Sequence, residues 1–252
     1  MILTAENYHS PEMNMKYMGA SQFKVFMECE AMALAEIKGE YAREKTTSLL
    51  VGSYVDAHYE KTLDLFKAHN PEIFTQKGEL KSEYKHAEYI IQRLERDEMF
   101  QEYMSGAKQV IKTGTIMGIP FKIKIDSYHE GKKIVDLKIM KDFEGIWKDG
   151  LKLPFVEAWG YDIQGTIYQF VEENNLPFFI AGATKEKPEP DLAIISIPQD
   201  RLDYCLEIVI ENVPRFADIK AGLIAPTRCE RCDYCKLTKK LTEAVEYSLI
   251  GC

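Results

Sequence analysis

The sequence predicts an α/β (α+β) fold: a central mixed β-sheet flanked by helices, with a helical N-terminal part and a Cys-rich C-terminal segment. Three observations carry this expectation. Apolar residues recur at helical spacing through the first hundred residues. Alternating and short apolar runs punctuated by glycine follow between about 107 and 139, then again at 177–184 and 191–197. The order helices, strands, helix, strands, helix then fits a sheet covered by helices.

Taken in order, residues 20–38 and 46–68 read as helices, followed by helical stretches through 82–104. Two or three strands occupy 107–139, with Gly114, Gly118 and Gly131 between them. Pro154 suits the start of a helix reaching about Glu173, because proline is tolerated in a first helical turn. Residues 177–184 and 191–197 read as strands joined by the 185–190 loop, and 199–220 as a final long helix. One domain over 1–252 is expected, divided into a helical part (1–105), a core (106–220) and a Cys-rich segment (221–252).

Composition narrows the class. The 252 residues are 46% hydrophobic and 29% charged, with a net charge of −8, as in a globular domain with ample core. No apolar run approaches the roughly 20 residues of a membrane span. Met1-Ile-Leu-Thr lacks a basic region leading into an apolar stretch, so a cytoplasmic protein without signal peptide is expected. The acidic balance disfavours a partner bound all over by electrostatics, but leaves room for a basic channel.

The densest chemistry lies in Phe121-Lys-Ile-Lys-Ile-Asp126 and Lys133-Ile-Val-Asp136-Leu-Lys138, which read as a hairpin. Strand alternation puts Lys122, Lys124 and Asp126 on one face, and Ile134, Asp136 and Lys138 on one face of the second strand. If the turn around Gly131 holds an odd number of residues, Asp126 and Asp136 share a face; three residues with Gly131 left-handed would do it. Carboxylates that close repel unless a cation intervenes, and Mg²⁺ or Mn²⁺ suits oxygen ligands. Lys138 could then orient a water or stabilise a phosphate. Taken alone, this pattern reads more readily as the solvated face of an edge hairpin.

Gln164 and Tyr168 lie four apart, on one helix face, which by itself describes a buried hydrogen-bonded pair. Gly160 and Gly165 each cost that helix about 1 kcal/mol, so close packing is expected there. His58 falls on the apolar stripe of Tyr54 and Val55, as a core histidine would, with Asp56 and Glu60 as weaker candidates beside it. Cys229, Cys232 and Cys235 are the sharpest signal: three thiols in seven residues converge readily on a tetrahedral zinc or an iron–sulfur cluster. Cys29 could be the fourth ligand, although a lone helical cysteine is commonly a core residue. Cys205 and Cys252 have only the structural reading.

In the order His58, Asp126, Asp136-Leu-Lys138, Gln164-x-x-x-Tyr168, the chain resembles the PD-(D/E)xK nuclease superfamily, in the branch of RecB nuclease domains and RecE-like (exodeoxyribonuclease VIII type) phage exonucleases. The likeness runs from about residue 20 to 240, and the cysteines resemble the iron–sulfur staple of the AddB nuclease domain, at tighter spacing. It implies a restriction-endonuclease-like core. It also implies a Mg²⁺ or Mn²⁺ site on His58, Asp126, Asp136 and the Leu137 carbonyl, with Lys138 positioning the water. Gln164 and Tyr168 would hold Lys138 and the DNA in register. Cys29, Cys229, Cys232 and Cys235 would hold a 4Fe–4S cluster or Zn²⁺. Linear duplex DNA, a RecT-like annealing partner and a homo-oligomer follow from the same likeness, with DNA recombination as the setting. No GxxxxGK[ST] loop is present, so no helicase motor is expected. The competing expectations are an endonuclease or CRISPR-adaptation nuclease, and a non-catalytic metal-cluster DNA-binding protein.

Overall fold

Phe178–Thr184 is an apolar run with no polar alternation, the pattern of a strand covered on both faces, and the fold is built around it. The computed structural model describes residues 2–148, 150–244 and 246; Cys252 lies outside them. Five strands form one sheet in the order β1-β2-β3-β6-β7: β1 (Ala107–Ile116), β2 (Ile119–His129), β3 (Lys133–Met140), β6 (Phe178–Thr184) and β7 (Leu192–Ser196). The β3–β6 pair is parallel and the other three are antiparallel, so the sheet is mixed.

Helices cover both faces. On one side lie α2 (Ala20–Glu28), α3 (Glu30–Lys38), α9 (Tyr161–Glu172) and α10 (Gln199–Ala221), around a core that includes Phe23, Phe26, Ile123, Ile134, Ile167, Phe178 and Phe216. On the other lie α4 (Thr47–Tyr59), α6 (Ser82–Glu95) and α7 (Glu98–Tyr103), packed through Tyr54, Ile90, Leu94 and Phe100 onto Val135, Leu137, Ala181 and Ala183. Strand β3 therefore divides its side chains between two cores, as its two-residue period requires.

The helices are more broken than the periodicity suggests. The 20–38 helix is two, because Cys29 is extended (φ −164°, ψ 109°) between α2 and α3. The 46–68 helix ends at Tyr59, Lys61 turns left-handed (φ 60°), and α5 (Leu63–His69) begins anew. The helix from Pro154 is a short α8 (Phe155–Ala158) and then α9, separated by Gly160 at φ 61°. Four pieces were not anticipated: α1 (Pro11–Lys16), a 3-10 turn at Pro71–Ile73, a small separate hairpin of β4 (Ile146–Lys148) and β5 (Leu151–Leu153), and α11 (Asp233–Leu237).

The close packing expected at Gly165 is present. A Cβ there would stand 2.7 Å from Phe178 Cδ1 and 3.2 Å from Leu202 Cδ2, so the glycine lets α9 settle between β6 and α10. Gly165→Ala should cost about 2 kcal/mol through overpacking, more than the helix propensity it gains. A melting temperature equal to or above that of the wild type would contradict this.

Candidate active site

The three residues 130–132 separate the last β2–β3 pair, His129–Lys133, and Gly131 among them is left-handed at φ 66°. The paired register, continued one step beyond Ser127–Val135, sets Asp126 across from Asp136. The backbone ladder stops there: the Leu137 N–H donates instead to Asp126 Oδ2 at 2.9 Å. The alternation of β2 also slips at this point, since Ile125 and Tyr128, three apart, face the same core. Gln109 on β1 has φ 52° where it passes Asp126, and its Nε2 donates to Asp126 Oδ1 at 3.2 Å. A break in both ladders thus turns the carboxylate toward β3.

Asp136 is 2% exposed. Its Oδ1 accepts a 2.6 Å hydrogen bond from Gln164 Nε2 on α9, and its Oδ2 forms an ion pair with Lys138 Nζ. Lys138 Nζ also lies 3.3 Å from the Leu137 carbonyl oxygen. Tyr168 donates to the Lys124 carbonyl at 2.9 Å and so fixes β2 just before Asp126. Gln164 therefore holds Asp136, and Tyr168 holds β2; neither touches Lys138 in the way the motif suggested.

His58 is not brought to this cluster. Its Nε2 faces Glu95 Oε1 on α6 at 3.0 Å, and the side chain is 32% exposed. Asp56 stands at the cluster instead, because residues two apart on a helix point about 200° from each other. Asp56 interacts electrostatically with Asp126, Lys138 and Asp136. Glu60, one turn on, lies 3.7 Å from Lys124. The signal was available in the spacing of Gly52, Asp56 and Glu60, four apart on one face of α4, with Gly52 facing the Ile139 carbonyl.

Burial and the neighbouring Asp136 raise Asp126 to about 7. Burial and Asp126 raise Asp56 well above the usual carboxylate range. Burial opposes the Lys138 ammonium, but Asp136 and Asp126 more than offset it and raise its pKa. Crowded carboxylates that resist carrying their full charge together form a donor set that fits a hard divalent cation. Between the ordinary 3.8 and about 7, the folded protein keeps a proton on Asp126 that the unfolded chain has lost. This group's contribution to stability accordingly falls as pH rises through that window. In metal-free protein, Asp126→Asn should raise the melting temperature over wild type by about 2–5 °C more at pH 8 than at pH 5. An equal difference at both pH values would show that Asp126 is not held protonated.

The cysteines form a second centre. The four Sγ atoms of Cys29, Cys229, Cys232 and Cys235 lie within 4.8 Å of one another, with Cys29 and Cys235 3.6 Å apart. The Cys232 N–H points at Cys229 Sγ (3.3 Å) and the Cys235 N–H at Cys232 Sγ (3.4 Å), which favours thiolates. Arg215 of α10 clamps Glu30 through two hydrogen bonds, and Glu30 also accepts from the Thr227 N–H, seating the segment against α3. Cys205 is buried on α10 and is not one of the four.

Residues 19–238 match the family model described as a PDDEXK-like domain of unknown function (DUF3799). The chain is similar to a crystal structure of a "putative exonuclease" from Eubacterium rectale, at 49% identity and TM-score 0.93, over 98% of this chain and 97% of that one. The solved structure of SSO0001 aligns over 84% of this chain and 92% of that one, at 14% identity and TM-score 0.32, and carries no argument. No curated protein matches.

Proposed function

We propose that this chain, which belongs to the PDDEXK-like family (DUF3799), is a divalent-metal-dependent exonuclease acting on linear double-stranded DNA. The observation that carries the reading is the convergence of three carboxylates, Asp126, Asp136 and Asp56, around Lys138. The 49% identical Eubacterium rectale protein, named a "putative exonuclease", supports the mode of attack.

Asp126, Asp136 and Asp56 would hold Mg²⁺ or Mn²⁺, with the Leu137 carbonyl beside them. Such an ion, when bound, lowers the pKa of water and offsets charge on a phosphate. Lys138 positions the water and stabilises the charge developing on the phosphate oxygens. Gln164 fixes the rotation of the Asp136 carboxylate, and Tyr168 fixes the strand that carries Asp126. A RecT-like partner, a ring-shaped homo-oligomer and a role in recombination belong to the same reading. No helix among the described residues is long and apolar enough to cross a membrane.

At the cysteine centre the spacing favours one ion. Metal–sulfur bonds of about 2.3 Å place tetrahedral thiolates about 3.8 Å apart. A 4Fe–4S cluster puts a separate iron on each thiol and spreads them further. Thiols within 4.8 Å therefore support Zn²⁺. Metal analysis and absorbance near 400 nm on anaerobically purified protein decide between the two.

The activity is tested with linear duplex labelled at the 5′ or 3′ end, and with closed circular DNA, in Mg²⁺ or EDTA. Mg²⁺-dependent loss of label from the linear DNA alone is expected. Nicking of the circle would make the protein an endonuclease, and intact DNA throughout would overturn the reading.

A further inference from the structure

A cleft of about 590 Å³ opens between α2, α8, α9, α10 and the cysteine centre, lined by Lys24, Met27, Lys148, Trp159, Arg201 and Cys229 among others. That volume is in the range of small-molecule sites. Trp159 caps α8 and is 56% exposed, an unusual place for a large indole. The left-handed Gly160 makes the kink that holds it there, and a Cβ at 160 would come within 2.9 Å of Lys24 Cδ. Lys24 Nζ donates to the Trp159 carbonyl at 3.2 Å.

The cleft adjoins the catalytic cluster. Lys24 Nζ and Lys138 Nζ lie 5.1 and 5.4 Å from the centroid of the same Tyr161 ring. Its charge also suits an anion. Arg201 binds Asp162 through two hydrogen bonds and lies 3.1 Å from Glu157. With Lys24, Lys148 and Arg231, the lining sets cations in excess by one over Glu28, Glu157 and Asp162.

We propose that this cleft is a nucleotide subsite, which takes the terminal nucleotide of a DNA strand with its base on Trp159 and its phosphate at Lys24. An indole stacks on any base, and an ammonium pairs with any phosphate, so the site recognises strand ends without reading sequence. The proposal rests on the nuclease reading for its biological sense, but its test does not.

The chain has two tryptophans, so Trp147→Phe leaves Trp159 as the sole indole. This variant is titrated without added divalent metal, and without chelator so that the cysteine centre stays intact, with dAMP and, separately, with deoxyribose 5-phosphate. Saturable quenching by dAMP, weaker by about 10-fold in Lys24→Ala and restored in Lys24→Arg, is expected. Equal responses to the two ligands, no response to dAMP, or unchanged dAMP affinity in Lys24→Ala would overturn it. The first comparison needs no change at Lys24, so it stands even where Lys24→Ala does not fold. Binding of dAMP without Lys138-dependent cleavage would leave the subsite and remove the nuclease; cleavage without dAMP binding would do the reverse.

Discussion

Lys138→Ala should lower the cleavage rate by about 10³-fold while Mg²⁺ affinity stays the same or tightens. Lys138 neutralises Asp136 through an ion pair with its Oδ2, so in the metal-free protein the ammonium stands where a cation is wanted. Removing it leaves the carboxylates more eager for a divalent ion, yet takes away the group that orients water and meets the phosphate. Calorimetric titration with Mg²⁺, beside cleavage of end-labelled duplex, separates the two effects. Weaker Mg²⁺ binding with normal turnover at saturating metal would assign Lys138 to the metal site alone.

Cys29→Ser should lower the melting temperature by about 10 °C, and a chelator that strips the centre should do the same to wild type. The shared ion would join the α2–α3 junction to the segment at 229–235, two parts of the chain 206 residues apart in sequence. Arg215–Glu30 and the Thr227 contact would keep the segment near its seat but not closed. Limited proteolysis should therefore cut beyond residue 225 first. An unchanged melting temperature in Cys29→Ser would mean that the thiols pack without a metal.

The sheet and its hairpin were legible because alternation and a glycine turn are local signals. Gly131, the three-residue turn and the Asp126–Asp136 register followed from counting residues. The slip at Asp126 was not legible, since it depends on Gln109 across the sheet, a contact that no periodicity announces. The family resemblance put His58 at the metal site, whereas orientation on α4 turns His58 to Glu95 and brings Asp56 to the carboxylate cluster. The break at Cys29 was hidden because the residues on both sides favour helix. Its extended backbone belongs to the distant cysteines rather than to its neighbours.

That break has a consequence for synthesis. Cys29 leaves the ribosome early, but its partners emerge only after some two hundred further residues. Until then one wall of the Lys24 cleft, which includes Cys229 and Cys232, does not exist. A nascent chain can therefore carry Asp56, Asp126, Asp136 and Lys138 while still lacking the surface against which, on the proposed reading, a strand end would rest. On that reading the seat for DNA waits until residues 229–235 have been made, a dependence set by the position of one cysteine.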